Sequence, residues 1–157
     1  MTDDNLIKQT LDSAKTIAMI GASTVKEGEA VSKTRLKPSI IVMKYLQEFG
    51  YKVIPVNPFS EGKKVHGETI VGKLEDVSTP IDIVNVFRPS KEAPDIARQT
   101  AKIGAKTLWL QFGIQNTEAK NISNSAGITC IMNKCIKQEY QRLFLKMKPV
   151  FPVLLPD

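Results

Sequence analysis

Short apolar runs alternate along this chain with longer segments in which apolar and polar residues are mixed. The first run, residues 16–20 (Thr-Ile-Ala-Met-Ile), is uninterrupted by charge and ends at Gly21. A run of this kind is typical of a strand buried on both faces of a parallel sheet. The same pattern predicts further strands at 51–56, 81–87, 107–112 and 128–132.

The segments between these runs have the spacing of amphipathic helices. From Val42 to Phe49 apolar residues recur every three or four positions, Pro38 suits a first helical turn, and Gly50 suits a helix end. The same reasoning predicts further helices at 3–13, 90–104, 117–126 and 135–145. Residues 23–37 and 57–72 are predicted as loops, with one short helix around 72–76.

Strands that alternate with helices of this length indicate repeated strand–helix–strand units, which form a parallel sheet through right-handed crossovers. We therefore predict a Rossmann-like, doubly wound α/β fold with five parallel strands and helices on both faces. The length of 157 residues predicts one domain, with its core at about residues 14–145.

The C-terminal segment 148–157 differs from the rest, because it combines three prolines with five apolar residues. The prolines exclude a helix, and an extended apolar tail is costly to expose to water. We expect it to pack on this domain or on a partner subunit. A homodimer follows from the second alternative, and the sequence leaves both open.

The composition of the chain disfavours two classes of function, membrane proteins and nucleic-acid-binding proteins. The apolar runs are far shorter than a membrane span, and the acidic start is unlike a signal peptide, so we expect a cytoplasmic protein without membrane contact. The formal net charge is +6, but the basic residues are scattered and aromatic residues make up only 6%. This pattern disfavours nucleic acid and favours a small polyanion, such as a phosphorylated cofactor.

The two cysteines, Cys130 and Cys135, fit neither a disulfide framework nor a zinc site, so we expect reduced thiols. If Cys135 begins the last helix, the helix N-terminus together with Lys134 and Lys137 would lower its pKa. Such a thiolate would form a mixed disulfide with a thiol cofactor. The alternative is a small buried residue at a strand–helix junction.

Ligands of doubly wound sheets bind outside the carboxyl ends of the strands. After the first strand, the turn at 21–23 (Gly-Ala-Ser) is a candidate phosphate loop, although without further glycines it also fits an ordinary turn. Asn57 and Pro58 follow the second strand, where an NAD site would need an acid, so NAD is disfavoured. Lys63 and Lys64 leave open a ligand with a phosphate on its ribose, or they form a solvated pair, but NADP is disfavoured as a cofactor together with NAD.

Several blocks of sequence carry a resemblance to a known family, and those at 50–58 and 132–137 are the most specific. In the order of the chain, over residues 14–145, the sequence resembles the stand-alone CoA-binding domain family. That family is similar to the N-terminal domain of the succinyl-CoA synthetase alpha subunit. The blocks are Ile-Gly-Ala-Ser (20–23), Lys-Pro-Ser (37–39), Gly-Tyr-Lys-Val-Ile-Pro-Val-Asn-Pro (50–58), Val-His-Gly-Glu (65–68), Val-Phe-Arg-Pro-Ser (86–90), Leu-Gln-Phe-Gly-Ile (110–114) and Met-Asn-Lys-Cys-Ile-Lys (132–137).

The resemblance implies a site for CoA or acyl-CoA along the strand ends. The sequence departs from the family pattern at the loop 24–36, which is longer than usual, and at Lys37, where arginine is common. Lysine lacks the bidentate fork of arginine. The implied site residues are Gly21, Ala22 and Ser23 of the turn; Lys37, Pro38 and Ser39 of the helix start; Asn57 and Pro58 on the adenosine side; Val86, Phe87 and Arg88 over the nucleotide or pantetheine; Gln111 and Gly113 further along; and Cys135 through the disulfide hypothesis.

Catalysis by this chain alone is not expected. In the resembled synthetase the phosphorylated histidine belongs to a second domain, whereas His66, the only histidine here, lies in a loop of the scaffold. No catalytic triad, carboxylate pair or metal-ligand cluster is apparent from spacing. The sequence therefore predicts a CoA- or acyl-CoA-binding module. The alternatives are a subunit of an acyl-CoA ligase, a nucleotide-dependent oxidoreductase, and a redox-responsive CoA sensor that uses Cys135.

Overall fold

The computed structural model describes residues 4–24 and 37–146. The predicted loop 24–36, apart from Thr24, and the predicted tail 148–157 lie outside these residues. In chain order the elements are α1 (Asp4–Ser13), β1 (Thr16–Ile20), α2 (Pro38–Glu48), β2 (Lys52–Val56), β3 (Lys64–Val65), β4 (Glu68–Thr69), β5 (Ile83–Val86), α3 (Ala93–Lys102), β6 (Thr107–Leu110), α4 (Thr117–Ser125), β7 (Thr129–Ile131) and α5 (Ile136–Phe144).

Five strands form one parallel sheet in the order β2-β1-β5-β6-β7, so the predicted Rossmann-like α/β fold is confirmed. The first predicted strand coincides with β1, and the other four are longer than the observed ones by one to three residues, because apolar residues such as Tyr51 and Phe87 adjoin the strand ends. The predicted loop 57–72 contains an antiparallel hairpin of β3 and β4. Strands of two residues are too short to show a periodic pattern.

Alternate residues of the strands enter two apolar cores. On one face, side chains such as Met19, Val53 and Trp109 pack with α1, α2 and α5. On the other face, Ala18 and Leu108 belong to a core that includes residues of α3 and α4. Helices on both faces explain why the strands are almost uniformly apolar.

The direction of chain progression reverses between β1 and β5. The chain passes from β1 outward to β2, then returns to β5 on the other side of β1. A doubly wound sheet has its ligand crevice at such a switch point, outside the carboxyl ends of the strands. The return connection holds the hairpin and a single 3₁₀ turn at Leu74–Asp76, where a short helix was predicted. This arrangement places the ends of β1, β2 and β5 around one opening.

Within residues 4–24 and 37–146, none of the helices is both long and apolar enough to cross a membrane.

Candidate functional site

The turn after β1 is held tightly between the ends of its two neighbouring strands. Gly21 has φ +86°, in the left-handed region, and its amide donates to the Val56 carbonyl at 2.9 Å. A side chain would not fit there, since a Cβ on Gly21 would lie 2.7 Å from the Phe87 carbonyl oxygen. Glycine is therefore required both by the backbone conformation and by the close approach of β5.

The amides of the turn at 21–23 bond within the protein, contrary to the expectation that they face an anion. The Ala22 amide shares the Val56 carbonyl with Gly21, at 3.3 Å, and the Ser23 amide donates to Ser39 Oγ at 3.1 Å. The hydrogen bonds of all three amides are thus accepted by the last carbonyl of β2 and by the buried hydroxyl of Ser39. The amides of the turn are therefore bonded internally, and the positive charge beside the turn is that of the exposed Lys37 at the start of α2.

Asn57, the residue after β2, stabilises the same turn through a side-chain hydrogen bond. Its Nδ2 donates to the Ala22 carbonyl at 2.8 Å, and its Oδ1 accepts from the Phe59 amide at 2.9 Å. An aspartate at this position would present an acceptor to the Ala22 carbonyl. Asn57 thus has a structural reason to be an amide, in addition to the ligand preference considered above.

The start of α2 lies beside this turn, as the Ser23–Ser39 hydrogen bond shows. Lys37 is the N-cap residue, with extended backbone and no side-chain cap, and Pro38 follows in the first turn. A helix N-terminus attracts anions, and the exposed Lys37 adds a positive charge to it. The structure thus brings Lys37, Pro38 and Ser39 together with the turn, as the sequence predicted.

A cavity of about 770 Å³ opens at the switch point between the ends of β1, β2 and β5 and the flank of α3. This volume is within the range of roughly 300–1,000 Å³ that is usual for small-molecule sites. The aromatic ring of Phe59 is 83% exposed at this cavity and is free to stack on a ligand. The residues that line the cavity include Gly21, Asn57, Pro58, Phe59, Lys73 and Arg88.

Arg88, expected as a cation for the ligand, is paired in this structure with Glu92, which also lines the cavity. Arg88 Nε donates to Oε1 at 3.0 Å, and Nη2 donates to Oε2 at 2.7 Å. The hydrogen bonds of this pair raise the pKa of Arg88 and lower the pKa of Glu92. Two of the five guanidinium N–H groups are used, so the others can still reach an anion.

Three other predicted contacts are less accessible than expected. Val86 is fully buried, because its side chain faces the core that also contains α3 residues. Phe87 is half-buried and packs on the opposite core. Gln111 is 3% exposed and donates from Nε2 to Asn85 Oδ1, since both amides lie in the sheet interior. None of these three residues lines the cavity.

At the far end of the predicted site, the Gly113 amide donates to Asn133 Oδ1 at 2.7 Å. This contact joins the loop after β6 to the segment after β7. It gives Gly113, at φ +89°, a role in holding two strand ends together.

The expectation of a lowered pKa at Cys135 is wrong. The residue is 2% exposed, and burial raises the pKa of its thiol to about 11, although the amides of Gln138 and Lys137 act in the opposite direction. Desolvation of the thiolate outweighs the favourable field of the helix start. Cys135 is therefore a buried residue at the strand–helix junction, the alternative that the sequence left open.

We predict that Cys135 reacts slowly with iodoacetamide. A thiol with a pKa of about 11 is only about 0.1% thiolate at pH 8, so the labelling rate should rise roughly tenfold for each pH unit up to that pKa. Mass spectrometry of a Cys130→Ala variant would follow Cys135 alone. Rapid labelling at pH 7 with a plateau below pH 8 would contradict the burial argument and restore the sensor hypothesis.

His66 has the scaffold role expected of it. Its Nε2 lies 2.8 Å from the Ile40 carbonyl oxygen, and its own carbonyl accepts from Gln47 Nε2 at 3.2 Å. Both contacts tie the β3–β4 hairpin to α2. Among the residues that the structure describes, no group of three or more His, Cys, Asp or Glu side chains is arranged to hold a metal ion.

Sequence reasoning missed several cavity residues. Phe59, Lys73 and Glu92 line the cavity but belong to none of the blocks that were assigned to the ligand. The spacing of Arg88 and Glu92, four residues apart with opposite charges, was a signal that could have revealed their pairing. Lys73 precedes a 3₁₀ turn whose position relative to the sheet only the structure shows.

Comparison with known proteins agrees with this geometry. The family model that describes a CoA binding domain matches residues 15–141 of this sequence. The chain belongs to this CoA-binding domain family. It is 37% identical over 131 residues to the uncharacterized protein YneT of Bacillus subtilis (strain 168), covering 83% of this chain and 89% of that protein.

Solved structures share the fold. The structure of cell-free ID.343 from Thermus thermophilus is 35% identical, with a TM-score of 0.79 over 91% of this chain and 100% of that one. A dinucleotide-forming acetyl-coenzyme A synthetase of Ca. Korarchaeum cryptofilum, in complex with phosphate and ADP, is 21% identical with a TM-score of 0.61. The match spans 76% of this chain but 26% of the synthetase, so this likeness concerns the fold of one part of that enzyme.

Proposed function

We propose that this protein binds CoA or an acyl-CoA at the carboxyl edge of its sheet and has no complete catalytic apparatus of its own. The observation that carries the proposal is the cavity at the switch point between β1 and β5, in a chain that belongs to the CoA-binding domain family. A phosphorylated ligand suits this edge because the start of α2, Lys37 and Arg88 all favour negative charge there.

A ligand phosphate bound in this cavity would change the hydrogen-bond partners of Arg88. In the structure its guanidinium faces Glu92, and both side chains are about one-third exposed. A phosphate that enters the cavity competes with the Glu92 carboxylate for the same N–H groups, and that carboxylate also repels the phosphate. The pair therefore gives two variants with opposite expected effects on the affinity for CoA.

We predict that Arg88→Ala weakens CoA binding about tenfold, since a charge-assisted hydrogen bond is lost. Glu92→Gln should strengthen it about threefold, because the competing carboxylate is removed while the size of the side chain is kept. Calorimetric titration of CoA into each variant measures both. Arg98→Ala is a matched control, since it removes a similar ion pair with Glu118, and neither residue lines the cavity.

Unchanged affinity in both cavity variants, with CoA bound to the wild type, would place the ligand elsewhere. Equal weakening by Arg88→Ala and Glu92→Gln would show instead that the ion pair acts as a structural unit. Loss of binding in Arg98→Ala as well would indicate that overall charge, and not the cavity, governs the interaction.

A further inference from the structure

Aromatic side chains of α2 and α5, together with Phe49 just after α2, form a continuous row on one side of the domain. The ring of Phe49 lies 4.9 Å from that of Tyr140, and the ring of Tyr140 stacks on that of Phe144 at 4.7 Å, measured between ring centres. Tyr45 extends the row along α2, at 4.7 Å from Phe49. The surface formed by Tyr45, Phe49, Tyr140, Phe144 and Leu145 is named the aromatic patch below.

The aromatic patch is incompletely covered by the described part of the chain. Phe49 and Leu145 are each 40% exposed, and the other three members are half-buried. Within residues 4–24 and 37–146, the other large apolar side chains with comparable exposure are Phe59 and Phe112, which lie in loops after strands at the ligand edge. Adjoining apolar side chains that remain exposed typically mark a surface that another segment or protein covers.

The patch lies away from the cavity at the switch point. α2 begins at the carboxyl edge of the sheet, and Phe49 leads within three residues into the start of β2, so Phe49 lies at the opposite, amino edge. None of the five patch residues lines the cavity. The ligand proposed above therefore does not account for this surface.

The described part of the chain ends at the same patch. Phe144 is the last residue of α5, Leu145 is its C-cap, and Lys146 follows with φ +53°. A residue in the left-handed region just after a helix ends that helix and turns the chain back. Residues 147–157 thus begin at the edge of the aromatic patch.

The sequence of residues 147–157 has the chemistry that an aromatic surface recognises. Pro149 and Pro152 are three residues apart, which is one turn of a polyproline II helix. Aromatic-lined surfaces bind such Pro-x-x-Pro segments, because proline restricts the backbone in advance and little entropy is lost on binding. The apolar side chains of the segment are Val150, Phe151, Val153, Leu154 and Leu155.

The connection to α5 favours the patch of the same molecule over that of a second copy. Phe151 is five residues beyond Lys146, and an extended chain of that length spans about 17 Å. The rings of the patch are successive neighbours at 4.7–4.9 Å, so Phe151 can reach them. A short tether gives an effective concentration of the order of millimolar, which exceeds that of a second molecule in dilute solution.

We propose that residues 147–157 fold back onto the aromatic patch of their own molecule, with Phe151 against Phe49 and Tyr140. This inference is independent of the proposed function, since it concerns the opposite edge of the sheet. It names the surface on which the apolar C-terminal segment packs and selects its own domain over a partner subunit. The segment covers side chains of α2 and α5 that the described residues leave exposed.

A double-mutant cycle in the full-length protein tests the contact. Phe151→Ala should lower the unfolding temperature by about 4–8 °C, because an apolar ring returns to water. In a Phe49→Ala background the same substitution should lower it by no more than about half as much, since its partner is already absent. Calorimetry of the four proteins measures both values. Equal shifts in the two backgrounds, or no shift in the wild type, would overturn the inference.

Phe112→Ala is the matched background for this cycle. Phe112 is 49% exposed, similar to Phe49, but it follows β6 at the carboxyl edge of the sheet. Phe151→Ala should therefore keep its full effect when Phe112 is replaced. A reduced effect in this background as well would show that the coupling is not specific to the aromatic patch, and would also overturn the inference.

Photochemical cross-linking identifies the occupied surface without relying on stability. The full-length protein carries p-benzoylphenylalanine in place of Phe151 and is irradiated at several concentrations. We expect adducts to peptides that contain Phe49 or Tyr140, at the mass of one chain and with a yield independent of concentration. Adducts at the mass of two chains, with a yield that rises with concentration, would place the segment on a second copy. That result, adducts confined to other peptides, or no adducts would each overturn the inference.

Discussion

Replacing Gly21 by alanine is expected to destabilise the protein by about 2–5 kcal/mol and to weaken ligand binding. Gly21 has φ +86°, where an L-residue costs about 1–2 kcal/mol. A Cβ there would also lie 2.7 Å from the Phe87 carbonyl oxygen and 3.0 Å from Arg88 Cδ. Since both neighbours are at the end of β5, relief of this contact must move backbone in the sheet, which adds about 1–3 kcal/mol. Urea unfolding followed by circular dichroism measures the loss.

Gly62→Ala is the matched control for this substitution. Gly62 has the same φ of +86°, but a Cβ there would meet nothing within 4 Å. It should therefore show the conformational cost alone, about 1–2 kcal/mol. The difference between the two variants measures the close approach of the β1 turn to β5. Equal destabilisation would mean that the site tolerates a side chain and that the turn is not fixed between the strands.

Replacing Trp109 by alanine is expected to destabilise the protein by about 3–5 kcal/mol, a large part of the 5–15 kcal/mol that is usual for a domain. Trp109 is fully buried on β6, on the face of the sheet that packs against α1, α2 and α5. Its Nε1 donates to the Lys134 carbonyl at 2.8 Å, so it also holds the segment that leads into α5. The urea midpoint, read by circular dichroism, tests this.

Trp109→Phe separates the two roles of this side chain. The ring still fills much of the volume, but the Lys134 carbonyl loses its donor, which costs about 1–3 kcal/mol when it stays buried. If phenylalanine is as destabilising as alanine, the hydrogen bond to the segment before α5 dominates. If phenylalanine has no effect, that carbonyl finds water, and the account of the α5 segment is wrong.

The sheet was predictable because its signal is strong and local. Runs such as 16–20 are apolar throughout, which in a chain with intervening helices means a strand covered on both faces. Pro38 and Gly50 marked the ends of α2 for reasons of backbone geometry alone. The β3–β4 hairpin escaped prediction because strands of two residues carry no period, and its pairing depends on the return of the chain past β2.

The candidate site was predictable as a set of positions but not as a set of contacts. The sequence placed Gly21, Asn57 and Arg88 at strand ends, where the structure finds them together around one cavity. It could not show that the turn amides bond to Val56 and Ser39, because those partners come from elements that are distant in the chain.

Burial accounts for the error at Cys135. The residue was judged by its position at a helix start, a local property that favours a thiolate. The packing of α5 on α1 and α2 encloses it, and desolvation then governs the charge state of its thiol. Such enclosure depends on the tertiary fold, which local sequence does not reveal residue by residue.

The most direct test of the central claim is calorimetric titration of the wild-type protein with CoA, acetyl-CoA, NAD, NADP and ATP, each at low and high salt. A site that holds the phosphates of CoA predicts saturable binding of CoA and acetyl-CoA, weaker at high salt, with little or no binding of NAD and NADP. Absence of CoA binding, or tighter binding of NAD or NADP than of CoA, would contradict the proposed function.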